Sequence, residues 1–225
     1  MHATPPARWR AAIVDLDGTM VDTLGDFEAA IAAALAGLGL PSVSRRFVEH
    51  TIGKGSRHLL ARTLAEVGGC ETLFEPLLAA YQREYLRING RFSSVYPGTL
   101  EGLSMLRIRG MKLACLTNKP LAFAEPLLEA KGLRGFFGPV FGGDSFARTK
   151  PDPLGMLETC KALGCRPAEV LAIGDSGNDA AAARAAGCDV VLLAHGYNHG
   201  EPLEGLGALA ILQRLDEIGP LLADG

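Results

Sequence analysis

The 225-residue sequence contains no apolar run approaching the ~20 residues that a membrane span needs, so a membrane protein is not expected. Met1–Arg10 lacks the apolar stretch of a secretory signal, and its length and prolines do not suit a transit peptide. The five cysteines (Cys70, Cys115, Cys160, Cys165 and Cys188) are odd in number and scattered. They suit buried thiols in a reducing compartment better than a disulfide framework or a zinc site. A cytoplasmic protein is expected. With 22 basic against 25 acidic residues the net charge is −3, and no basic block follows a phosphate backbone, which argues against a nucleic-acid partner. The 28 glycines and 13 prolines stay below the roughly 25–30% that marks low-complexity chains.

What the chain does have is a series of short apolar runs. Arg10–Asp15 is the first, and Met111–Leu116, Val140–Gly142, Val170–Ile173 and Val190–Leu193 follow. Each has the length of a buried strand in a parallel sheet. Helical patterns separate the later runs. One carries Leu100, Leu103 and Leu106 and stops at Gly110; the next carries Leu127 and Leu128 and stops at Gly132. A third follows Pro153 and stops at Gly164, and an Ala-rich one spans Asn178–Ala186 before Gly187. Strand alternating with helix predicts an α/β fold, a doubly wound Rossmann-like parallel sheet.

One interval breaks the alternation. Between about Thr23 and Gly90 only helical periodicity is visible: Phe27, Ile31, Leu35 and Leu38; then Leu59, Leu60, Thr63 and Leu64, with Ser56 placed as a cap; then Phe74, Leu77, Leu78, Tyr81 and Tyr85. An all-helical subdomain, residues 23–90, is therefore expected to be inserted into an α/β core formed by 1–22 and 91–225. The chain would cross between the two near Asp22–Gly25 and Gly90–Gly98.

Open α/β sheets bind ligands at the carboxyl ends of their strands, and those ends carry the reactive side chains here. The first strand runs into Asp15-Leu16-Asp17-Gly18-Thr19, and the second central one into Thr117-Asn118-Lys119. Lys150-Pro151 precedes a helix, and a further strand ends in Gly174-Asp175-Ser176-Gly177-Asn178-Asp179. Alternation places Asp15 and Asp17 on one side, ~6.6 Å apart at their α-carbons. Two carboxylates ~4 Å apart repel by about 4 kcal/mol at an effective dielectric near 20. Four aspartates against one Lys150 thus need either protons or a cation. The donors are hard oxygens without His or Cys, which selects Mg²⁺, with Asp15, Asp17 and Asp175 as its candidate ligands.

The remaining roles describe phosphoryl transfer. Asp15 is the candidate nucleophile, forming an aspartyl-phosphate. Asp17 is placed to protonate the leaving alkoxide and then to deprotonate the attacking water. Thr117, Asn118 and Lys150 would donate to the phosphoryl oxygens. Asp179 would orient Lys150 or a metal-bound water, and Thr19 would support the first carboxylates. Taken singly each motif has an ordinary structural reading, such as a turn or a helix cap; their conjunction in this order on a βαβ frame carries the argument. His195 and His199, among Gly196, Asn198 and Gly200, read as a turn rather than as metal ligands. Asp22 reads as a hinge or a cap, Asp144 as shaping the loop before Lys150, and Trp9 as packing beside the first strand.

Together these motifs resemble the haloacid dehalogenase superfamily, over roughly Ala12 to Leu203. The helical insertion looks like that superfamily's C1 cap, and the second aspartate, Asp17, implies a phosphotransferase branch. Leu116–Pro120, Gly142–Ser145 running into Lys150–Pro153, and Gly196-Tyr197-Asn198 are similar to bacterial phosphoglycolate phosphatases. The resemblance implies a Mg²⁺-dependent phosphomonoesterase that releases glycolate from 2-phosphoglycolate, a small-molecule substrate, in a monomer or homodimer. It also implies that the cap presents a loop to the substrate, Ile52–Arg57, in which Lys54 and Arg57 would pair with a carboxylate. The alternatives are a phosphatase of a sugar phosphate or of N-acetylmuramic acid 6-phosphate, and a signalling receiver that stores phosphate on aspartate. Receivers have about half this length and no such insertion.

Overall fold

The computed structural model describes residues 8–223; most of Met1–Arg10, and with it the reading of that segment, lies outside them. In chain order the strands are β1 (Ala11–Val14), β2 (Val21–Asp22), β3 (Ser94–Val95), β4 (Lys112–Leu116), β5 (Val140–Phe141), β6 (Val170–Gly174), β7 (Asp189–Leu193) and β8 (Ala210–Leu212). The helices are α1 (Leu24–Gly37), α2 (Arg45–Thr51), α3 (Ser56–Glu66), α4 (Phe74–Ile88), α5 (Thr99–Ile108), α6 (Leu121–Ala130), α7 (Leu154–Leu163), α8 (Gly177–Ala186) and α9 (Gly219–Ala223).

Six strands form one parallel sheet in the order β5-β4-β1-β6-β7-β8. β1 lies inside it, with Ile13 paired to Ala114 on one side and to Ala172 on the other. The two-residue period of a strand distributes its side chains to two separate cores. Ala12, Val14, Leu113, Cys115, Leu171 and Ile173 pack with Leu103 and Leu106 of α5 and Leu127 and Leu128 of α6. Ala11, Ile13, Ala114, Leu116, Val170 and Ala172 pack with Met156 and Leu163 of α7 and with the alanines of α8. The small side chains of α8 let its backbone approach the sheet. This is the doubly wound α/β architecture expected of the sequence.

α1, α3 and α4 build a third apolar cluster around Phe27, Ile31, Leu35, Leu60, Tyr81 and Tyr85, joined from the sheet side by Phe123 and Tyr197. Where the chain leaves the sheet for these helices and returns, β2 and β3 pair antiparallel, Val21 with Val95 and Asp22 with Ser94. Asp26 of α1 ties the same crossing, accepting from the backbone N–H of Gly90 (2.8 Å) and Phe92 (2.7 Å).

Several local expectations are corrected. β2, β3 and β8 were not expected; two or three residues at a ladder or a sheet edge carry too little periodicity to stand out. Leu100 is 45% exposed while Leu103 and Leu106 are buried, because the buried face of α5 is formed by Thr99, Gly102, Leu103 and Leu106 and Leu100 lies beside it. Ser56 opens α3 rather than capping it, and Gly55 holds the cap position with φ 85°. Asp144 ties the loop that leads to Lys150 to the start of α6, its Oδ1 accepting from the N–H of Leu121 at 2.8 Å.

Candidate active site

Asp15, Thr117 and Asp175 follow β1, β4 and β6, neighbours in parallel register whose carboxyl ends are adjacent, and Lys150 reaches them from the loop between β5 and α7. Asp15, Asp175 and Asp179 each offer a carboxylate oxygen within 4.8 Å of the others. Lys150 Nζ lies 2.6 Å from Asp179 Oδ1 and 3.0 Å from Asp15 Oδ1, and it also donates to the carbonyl of Leu116 (3.0 Å). This ammonium is only 4% exposed. Burial disfavours its charge, but Asp15 and Asp179 outweigh burial and raise its pKa.

The carboxylates differ in how fully they are satisfied. Asp179 begins α8 in a capping box with Ser176, its Oδ2 accepting from the Ser176 hydroxyl (2.7 Å) and N–H (3.2 Å). With Lys150 on Oδ1, both of its oxygens are engaged. Asp175 accepts from the Thr19 hydroxyl on Oδ1 (2.6 Å) and from the N–H of Tyr197 on Oδ2 (2.6 Å). Two glycines let the backbone close around it: a Cβ on Gly18 would fall 2.4 Å from Asp175 Oδ2, and one on Gly196 would fall 2.2 Å from its Cβ. Gly18 also has φ +82°, a conformation that L side chains disfavour. Asp15 Oδ1 is buried without any hydrogen bond among the described residues, its contact to Lys150 being an ion pair out of hydrogen-bond alignment.

Burial, with Asp179 adding to it against the pull of Lys150, raises the Asp15 pKa from 3.8 to about 6. Burial, then Asp179 and Asp15, raise Asp175 well above the usual carboxylate range. An orphaned carboxylate oxygen beside a second buried carboxylate, in a set of hard oxygen donors, fits a small divalent cation such as Mg²⁺.

Not every residue singled out in the sequence arrives as expected. The Asp17 carboxylate is not in the acidic triad. It faces the other way, to Lys119, with Nζ 2.9 Å from Oδ1 and 3.3 Å from Oδ2, so its expected role as a carboxylate ligand of the metal is withdrawn. The Asn118 side chain is not free to hold phosphate either: its amide donates to the carbonyls of Gly53 (2.9 Å) and Lys150 (2.8 Å), and its oxygen accepts from the N–H of Lys150 (2.9 Å). It is a brace between β4, Lys150 and the helical insertion. Thr117 is 2% exposed; it accepts from the N–H of Lys119 (3.2 Å) and keeps its own hydroxyl proton available.

Gly53 and Gly55 of the expected substrate loop do line a cavity, with Asp15, Asp17, Phe27, Thr117 and Lys119, but the two charged residues of that loop lie elsewhere. Arg57 is paired with Glu75 on the outer surface (2.7 Å) and stacked on Phe74, and Lys54 is exposed beside His58 and His199. The cavity volume is about 30 Å³, the room of two or three waters.

His195 and His199 lie in a turn after β7, bonded to backbone carbonyls of Gln213 and His50 respectively. Asp22 accepts from the N–H of Leu24 (3.1 Å) and from the Tyr197 hydroxyl. Sequence reasoning missed Lys119, Tyr85 and Tyr197. The first stood in the Thr-Asn-Lys-Pro phrase without a role, and the tyrosines were read as core or loop.

A parallel sheet with this order, carrying Asp-x-Asp, Thr, Lys and Asp-x-x-x-Asp at adjacent strand ends, defines a hydrolase class, and a family profile for haloacid dehalogenase-like hydrolases matches residues 9–187. The chain belongs to that family. Among curated proteins it is 39% identical to a phosphoglycolate phosphatase of Thiobacillus denitrificans, over 94% of this chain and 95% of that one. It is 37% identical to phosphoglycolate phosphatase 1 of Pseudomonas aeruginosa, over 94% and 79%. A crystal structure described as a predicted phosphoglycolate phosphatase from Haemophilus somnus superimposes with a TM-score of 0.92 at 32% identity, covering 96% of this chain and 99% of that one. No helix among the described residues is long and apolar enough to cross a membrane.

Proposed function

We propose that the chain is a Mg²⁺-dependent, cytoplasmic phosphatase that hydrolyses 2-phosphoglycolate, or a closely similar small carboxylated phosphate ester, to glycolate and phosphate. The observation that carries the reading is Asp15: a half-buried carboxylate at the end of the central strand, with one buried oxygen unspent and Lys150 3.0 Å away. The substrate rests on the relatives of that name; the cytoplasmic placement rests on five cysteines that are all free thiols.

In this reading residues 23–90 form a cap over the core of 1–22 and 91–225, hinged at the β2–β3 crossing. The phosphate lies against Asp15, with the Thr117 hydroxyl and the Lys150 ammonium donating to its oxygens. A carboxylate oxygen of Asp15 attacks phosphorus as the ester oxygen departs, and Asp17 delivers a proton to that oxygen, releasing glycolate. Asp17, now the base, takes a proton from water as the water oxygen attacks the phosphorus of the aspartyl-phosphate. Inorganic phosphate leaves and the Asp15 carboxylate returns. Asp15 and Asp175 would hold Mg²⁺, which offsets the repulsion between their charges and the phosphate's. Asp179, its oxygens already engaged, fixes Lys150, and Thr19 fixes Asp175. Closure of the cap excludes bulk water.

Steady-state kinetics over a panel of phosphate esters tests the substrate. A kcat/KM for 2-phosphoglycolate at least tenfold above those for hexose phosphates and N-acetylmuramic acid 6-phosphate supports the reading, and equal turnover removes it.

A further inference from the structure

We infer that Lys119 is the residue that selects a carboxylated substrate, binding the acid end while Lys150 serves the phosphate; this rests on the phosphatase reading above. Lys119 follows β4, two residues after Thr117, and its side chain is 1% exposed. A buried ammonium needs strong reasons to be there. Its Nζ donates to Asp17 (2.9 Å) and to the Tyr85 hydroxyl of α4 (2.6 Å). It also sits 4.6 and 4.5 Å from the ring centroids of Phe27 and Tyr85, an aromatic cradle contributed by the helical insertion. An ammonium has three donors, and here two groups share them, the Asp17 carboxylate (2.9 and 3.3 Å to its two oxygens) and the Tyr85 hydroxyl.

The cavity wall leaves no other choice of cation. Of the residues that line the cavity, Lys119 alone carries positive charge, against the carboxylates of Asp15 and Asp17. Arg57 is tied to Glu75 on the outside and Lys54 is exposed. Chemistry fixes where the acid end must lie. In phosphoglycolate one carbon separates the ester oxygen from the carboxylate. Asp17 must reach that ester oxygen to protonate it, and Lys119 lies one hydrogen bond beyond Asp17. The ammonium is therefore adjacent to the position a short acid must take, and an N–H exchanged from its longer contact, Asp17 Oδ2 at 3.3 Å, is the donor for it. Tyr85 and Phe27 belong to the insertion, so the cradle forms only when the helices lie on the sheet, and acid recognition is coupled to closure.

The test compares 2-phosphoglycolate with ethyl phosphate, which lacks the acid, in the Mg²⁺-loaded full chain. Lys119→Met removes the charge at similar length. Lys119→Gln also removes it but keeps an N–H for Asp17, so it preserves the packing if the first variant fails to fold, as read by circular dichroism. In either folded variant the preference, the ratio of the two kcat/KM values, should fall by about 30-fold or more, the loss of a charged hydrogen bond in a buried site, through a higher KM for the acid. A parallel fall for both esters, with the ratio kept, assigns Lys119 to Asp17 positioning alone and overturns the inference. If the wild-type protein itself shows no preference for the acid over ethyl phosphate, the phosphoglycolate reading fails first. If wild type prefers the acid and both variants keep that preference, only the Lys119 assignment fails.

Discussion

Asp26 in α1 is a wholly buried carboxylate and Asp15 at the end of β1 a half-buried one with a buried oxygen, and they are handled in opposite ways. Asp26 is wholly buried and each of its oxygens accepts a backbone N–H, from Gly90 and Phe92; nothing about it is unfinished. Asp15 has a buried oxygen with no donor, an ammonium out of alignment, and two further carboxylates within reach. The first arrangement holds two chain segments together where the helical insertion leaves and rejoins the sheet. The second is an electrostatic deficit, which in the proposed function an incoming cation and phosphate complete. Burial of charge alone thus does not mark a reactive group; unspent lone pairs in a cavity do.

The largest break in this comparison comes from Asp15→Asn. The variant keeps its fold, since the amide is isosteric, and loses at least about 10⁴-fold in kcat, measured against 2-phosphoglycolate with circular dichroism as the folding control. Asp17→Asn costs less, ~10²–10⁴-fold, the usual contribution of a general acid–base group, and the loss should shrink for an ester with a better leaving group such as p-nitrophenyl phosphate.

Asp26→Ala reverses the pattern. Two backbone N–H groups lose their acceptors, which costs about 2–3 kcal/mol and lowers Tm by roughly 5–10 °C, while kcat per folded molecule is kept. Smallest of all is Arg57→Ala, an exposed pair worth at most about 1 kcal/mol; kcat/KM should stay within about twofold of wild type.

Proton linkage separates the two carboxylates further. A carboxyl whose folded pKa lies above its unfolded value favours the folded state at low pH, and that advantage is lost as pH rises. For Asp15 the window runs from 3.8 to about 6, and Asp175 shifts in the same direction. In chelator, thermal melts should therefore show the acidic cluster contributing less stability at pH 7 than at pH 4.5. Added Mg²⁺, which needs the ionised carboxylates, should raise Tm more at pH 7 than at pH 4.5.

Much of the fold was legible in the sequence because buried parallel strands are short apolar runs ended by polar residues, as at Val170–Gly174, and because glycines such as Gly164, with φ +66°, stop the helices between them. Asp15, Thr117, Lys150 and Asp175 were legible as a set because adjacent parallel strands must deliver their carboxyl ends to one rim. Side-chain direction was not. Nothing in the spacing tells that Asp17 turns from Asp15 toward Lys119, that the Asn118 amide is spent on Gly53 and Lys150, or that Arg57 faces outward to Glu75. Those outcomes are decided by tertiary packing of the helical insertion on the sheet. Lys119 was hidden for the same reason, since a lysine in a loop reads as solvated until Phe27 and Tyr85 are brought over it.

The most direct measurement of the central claim is acid quenching of a single turnover of 2-phosphoglycolate, with mass spectrometry of the peptides. The account predicts a phosphoryl group on the peptide bearing Asp15, appearing within the first turnover, disappearing as inorganic phosphate is released, and absent in Asp15→Asn. Full turnover with no phosphorylated peptide at any time, or with the phosphoryl group on another residue, would contradict it.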